Sequence, residues 1–106
     1  MDTGRLEKIE AMPESDPSDT FLRYSRAMEW GKLGKVAESL AGLRELTAED
    51  PPYVPAFFMA AQQLAQQGAT EEAADQLRGG IVAAEAAGDS HAVGEMREFL
   101  STITGG

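Results

Sequence analysis

His91, Glu95 and Glu98 are spaced four and seven residues from the histidine, which lays an imidazole and two carboxylates along one face of a helix. That is half of a metal site. A cage needs a second imidazole or a thiolate, and the chain has one histidine and no cysteine, so His91 reads as a surface residue near a helix start. The same counts remove disulfides and thiol nucleophiles, and they leave no second base for a Ser/His/Asp relay. Glu71 and Glu72 are adjacent, so on a helix they diverge by about 100° and mark a helix start, not paired acid and base. Glu45, Glu49 and Asp50 gather carboxylates at a helix C-terminus, where the dipole disfavours them; this is either a solvated face or a patch for a basic partner. Gly79-Gly80 lies inside a helical pattern, not between a strand and a helix, so it is no phosphate loop. Each of these glycines costs about 1 kcal/mol relative to alanine; a close helix crossing would justify Gly80, and nothing in the sequence accounts for Gly79. No catalytic residue, metal or cofactor is assigned.

The elements that position these groups come from a chain of 106 residues, 42% hydrophobic and 25% charged, in the range of one ordinary domain, and residues 1–106 are read as one. A net charge of −9 with scattered lysines and arginines opposes nucleic acid and anionic membrane surfaces, and favours a partner that is apolar or basic. The longest apolar runs, such as Ile81 to Ala84, are far from the roughly 20 residues that cross a bilayer. The polar start Met1-Asp2-Thr3-Gly4-Arg5 has no secretory core, so a cytoplasmic location is expected.

Alanine is abundant, β-branched residues are sparse, and apolar residues recur at intervals of three and four, so helix is expected throughout. Pro13, the turn at 16–19, Gly34, Asp50-Pro51-Pro52, Gly68 and Gly88 divide the chain into six helices, at about 3–12, 18–33, 35–49, 53–67, 70–87 and 89–103. Short connections make neighbours antiparallel. Thr70 is expected to cap the fifth helix and Asp89 or Ser90 the sixth. Gly34 and Gly68 fall where a left-handed helix end would need glycine.

Those two glycines are 34 residues apart, and the interval recurs: Ala27 with Ala61, Trp30 with Leu64, Ser39 with Ala73, Glu38 with Glu72, Leu43 with Leu77. A helical hairpin is written twice. On Ala27, Trp30, Gly34, Ser39, Leu43 and Pro51, then Phe57, Ala61, Leu64, Gly68, Ala73 and Leu77, the chain resembles the tetratricopeptide repeat family. Repeat one covers 18–51 and repeat two 52–87. The family's aromatic near the start of the first helix is Phe57 in repeat two but Arg23 in repeat one, and no proline closes repeat two. Small residues at Ala27, Ser39, Ala61 and Ala73 let helix axes approach, and the large ones fill the space beside them. Two repeats are fewer than stacked repeats usually need, so helix 3–12, with Leu6, Ile9 and Met12, and helix 89–103, with Val93, Met96, Phe99, Leu100 and Ile103, are read as caps; 104–106 is a frayed tail.

The resemblance implies a short right-handed α-solenoid whose first helices line a concave, non-catalytic binding surface for a peptide or protein segment. By that resemblance the surface carries Phe21, Tyr24, Met28 and Lys32 from repeat one, and Phe58, Gln62 and Gln66 from repeat two. Phe21, Tyr24 and Met28 also share a helical stripe by spacing alone, which either anchors an apolar segment or is buried as core. The clamp of lysine, arginine and asparagine with which some relatives hold acidic C-termini is missing, since the chain has no asparagine. Homodimerisation through the same face is the alternative function.

Overall fold

Asp19 starts the first helix: its carboxylate accepts from the Leu22 amide at 3.0 Å, satisfying one of the orphan N–H groups of the opening turn. In the computed structural model, which describes residues 19–105, five helices follow: α1 Thr20–Lys32, α2 Val36–Thr47, α3 Val54–Gln66, α4 Thr70–Ala87 and α5 Ser90–Thr104. Among the described residues there is no strand. The expected helix at 3–12 lies outside them. Each other helix falls within two residues of its expected span.

Two helix starts divide the expectations. Asp89 caps α5 by accepting from the Ala92 amide at 3.1 Å. Thr70, by contrast, is the first residue of α4, and the cap position belongs to Ala69, which has no side-chain bond to give. The two acidic residues expected in that first turn, Glu71 and Glu72, are there, and their charge favours the helix N-terminus. Gly34 and Gly68 have φ of +82° and +81°, just past the ends of α1 and α3. An L side chain is strained there, which explains the glycines that mark the repeat.

The chain forms two compact units that divide between Leu46 and Thr47. In the first, α1 and α2 meet where side chains are smallest. Ala27 and Ser39 are fully buried, and the Ser39 hydroxyl donates to the Ala27 carbonyl at 2.6 Å, so the small polar group is satisfied at the point of closest approach. Leu43 and Leu46 are fully buried beside it. Gly42 also belongs to this contact: a Cβ there would stand 3.3 Å from the Ala27 Cβ and 3.6 Å from the Trp30 ring.

In the second unit α4 packs against both α3 and α5, and α3 touches α5. Ala56, Ala60, Ala61 and Ala73 are fully buried. Both glycines of α4 find their reason here. A Cβ on Gly80 would lie 2.6 Å from the Phe57 Cβ and 2.5 Å from the Met96 sulfur, so α3 and α5 close on α4 at a point only glycine fits. Gly79, unexplained by the sequence, lies under the edge of the Phe57 ring, with its would-be Cβ 3.3 Å from Cε1. Val93 and Met96 of α5 are buried, while Phe99, Leu100 and Ile103 are half-buried, as a helix with one apolar face requires.

Candidate interaction surface

One stripe of α1 carries most of the residues expected to bind a partner. Phe21, Tyr24, Ser25, Met28, Glu29 and Lys32 recur every three or four residues, and together they line a surface depression of about 200 Å³. Every described residue lining it comes from α1. Phe21 is 65% exposed, which is unusual for a ring of that size, and Tyr24 and Met28 are half-buried. Sequence reasoning names Phe21, Tyr24, Met28 and Lys32 but misses Ser25 and Glu29. Both could have been found by stepping four residues from Phe21.

Glu29 is the unexpected member, because its side chain is only 1% exposed. Lys32 lies 3.5 Å from its Oε2, with the ammonium end largely in water, so the floor of the depression carries a carboxylate held by a cation on its rim. On the same helix, the Arg26 guanidinium sits 5.1 Å from the centre of the Trp30 ring, a cation–π contact that fixes both long side chains. Arg23, where the repeat pattern has an aromatic, reaches Glu45 on α2 at 3.7 Å.

The three residues expected to serve the same role on α3 have different surroundings. Phe58 is half-buried, and its ring packs on Phe99 of α5 with centroids 5.3 Å apart and planes 43° apart. Gln62 is half-buried and Gln66 exposed. The other groups singled out for chemistry are placed plainly. His91 is exposed and lies 3.3 Å from Glu95, one turn along α5. Among the described residues no cluster of three or more His, Cys, Asp or Glu could hold a metal ion. A second depression, of about 270 Å³, lies at the turn between α4 and α5 beside Glu85, Asp89, Ser90 and Val93, with Glu85 already engaged by Arg97 at 2.8 Å.

No family model matches the sequence, and no curated protein does either. Solved structures do. The solution structure of a tetratricopeptide repeat domain protein from Salinibacter ruber superposes with a TM-score of 0.80 at 29% identity, covering 85% of this chain and 91% of that one. The solution structure of a protein from Bordetella parapertussis gives a TM-score of 0.78 at 26% identity, covering 93% of this chain and 86% of that one. The chain has a tetratricopeptide-repeat-like fold. Helices α1 with α2, and α3 with α4, carry the residues that recur at the 34-residue interval. A tetratricopeptide-repeat-like fold suggests a protein-interaction module, and such folds are typically non-catalytic. Among the described residues no helix is long and apolar enough to cross a membrane.

Proposed function

We propose that this protein is a non-catalytic interaction module that holds a peptide or protein segment against the first helix of each repeat. Phe21, Tyr24 and Met28 on α1 are its anchors, joined by Phe58 on α3; Lys32, Gln62 and Gln66 are polar contacts. The observation that carries this reading is the α1 depression, where a largely exposed phenylalanine, a tyrosine and a methionine stand on one stripe. Aromatic and methionine side chains supply most of the energy at such surfaces because they bury large area at low entropic cost. The partner is an apolar or basic segment, since a net charge of −9 repels an acidic one and offers steering to a cation. A cytoplasmic location belongs to the same reading.

The test begins with light scattering of the full chain at several concentrations. A steady monomer mass leaves the face to a partner, and a doubled mass assigns it to self-association. A peptide selected from a random library on the monomer is then titrated against Phe21→Ser and Tyr24→Ala. Each substitution is expected to weaken binding about thirtyfold with unchanged helicity, the loss typical of a hot-spot residue. Phe58→Ala is the weaker test, because it also removes the packing on Phe99. Unchanged binding to both α1 variants would retire the proposal.

A further inference from the structure

Arg97 and Phe99 are two residues apart on α5, so they stand on opposite edges of the helix. The Arg97 edge faces α4, where the guanidinium meets Glu85 at 2.8 Å; the Phe99 edge faces α3, where the ring meets Phe58. Helical spacing puts Glu95 on that second edge one turn before Phe99 and Thr102 one turn after it, with Glu98 beside both. All three are exposed, and the two half-buried rings leave part of their area at the surface of the seam between α3 and α5. Across the seam, α3 has no charged residue from Val54 to Gln66, and Gln62 lies one turn from Phe58. One wall is therefore neutral and the other acidic. Residues 47–106 carry nine acidic and two basic side chains, a net of −7, so most of the chain's charge of −9 is concentrated in this unit. Both of its cations are already engaged, Arg78 with Asp75 at 3.1 Å and Arg97 with Glu85. The unit has no lysine, so only the His91 ring, 3.3 Å from Glu95, stands near these carboxylates.

We infer that the α3–α5 seam is a docking site for a basic amphipathic segment, which lays an apolar side chain on the Phe58–Phe99 floor and sets lysine or arginine against Glu95 and Glu98. The inference rests on the reading of this protein as an interaction module; it gives the α3 part of the surface a second wall on α5 and a partner of stated charge. Charge complementarity selects the occupant. An acidic segment meets two exposed carboxylates in a field of its own sign, whereas a basic one meets carboxylates for which no arginine or lysine of the unit competes. Gln62 adds an amide that donates and accepts hydrogen bonds without charge.

The probe is a short amphipathic peptide of leucine and lysine, titrated at low salt into the full chain beside the same pattern written in leucine and glutamate. An environment-sensitive dye reports its arrival from Thr102→Cys at the seam or from Ala86→Cys, exposed on α4, with no native cysteine to compete. The leucine–lysine peptide is expected to shift the dye at Thr102→Cys and not at Ala86→Cys, and the leucine–glutamate peptide to shift neither. Glu95→Gln with Glu98→Gln is expected to weaken binding at least about fivefold. Glu71→Gln with Glu72→Gln makes the same change of net charge at the start of α4 and is expected to weaken it less than about twofold. Equal losses in the two variants overturn the inference, since they reduce the attraction to net charge. So does an absence of binding, or a dye shift at Thr102→Cys that follows protein concentration without peptide, which assigns the seam to a second copy. The two proposals fail separately. Binding lost in Phe21→Ser and Tyr24→Ala but kept in Glu95→Gln with Glu98→Gln sinks the seam and leaves the α1 face; the opposite pattern does the reverse.

Discussion

At one place in the first hairpin Arg23 reaches across to Glu45; at the same place in the second, 34 residues on, Phe57 lies over Gly79 and against Gly80. The next residue along repeats the contrast, since Leu46 is fully buried in the first hairpin and Gly80 takes its place in the second. One hairpin fills the space from its second helix and the other from its first. The opposite trade occurs nearer the turn: Trp30 stands over Gly42, while the corresponding pair is Leu64 and Gln76. What both hairpins keep is the smallest contact, Ala27 with Ser39 and Ala61 with Ala73, all fully buried. A close-packed interior constrains the summed volume between two helices and leaves open which helix supplies it.

Alanine substitutions at matched positions would break this comparison if it is wrong. The largest effect is expected at Leu46→Ala, which leaves a cavity and should cost about 2–5 kcal/mol in a urea unfolding curve. Gly80→Ala should cost about 1–3 kcal/mol for the opposite reason, the added methyl colliding with the Phe57 Cβ and the Met96 sulfur. A neutral result at either position would mean that the helix spacing relaxes freely and that bulk is not shared as described. Ser39→Ala removes the buried hydroxyl bond to the Ala27 carbonyl and should cost about 1 kcal/mol.

Smaller effects sharpen the contrast. In a double-mutant cycle Arg23→Ala and Glu45→Ala should couple by no more than about 1 kcal/mol, because the Glu45 side chain is mostly in water, and the coupling should shrink in high salt. A salt-independent coupling would show that this pair does more than replace an aromatic. Gly79→Ala should move the unfolding midpoint least, by within about 0.5 kcal/mol, since alanine's helix preference is offset by the small shift it asks of the Phe57 ring. A loss well above 1 kcal/mol would mean that the ring has nowhere to go.

The regular parts of this fold were legible because their causes are local. Gly34 and Gly68 stand where only glycine tolerates the left-handed backbone, and Asp89 lies where a carboxylate can reach an orphan amide. Thr70 shows the limit of such reasoning, since a hydroxyl one residue inside a helix resembles a cap in sequence while Ala69 holds the position. On the candidate face, the stripe of Phe21, Tyr24, Met28 and Lys32 followed from spacing, because helical periodicity alone puts them together. Glu29 did not. Nothing in its neighbours announces that its side chain is withdrawn from water.

The sequence by itself determined the helices, their ends and the 34-residue period, for these rest on backbone stereochemistry and on which residues share a helical face. Only the tertiary structure decided why α4 carries two adjacent glycines, which face takes Phe58, and how Arg23 stands in for an aromatic. Those outcomes depend on what lies across a gap of a few ångströms, and the residues that meet there are separated by 16 to 41 positions in the chain. Dispersion and overlap act over atomic distances, so no reading of neighbours in sequence contains them.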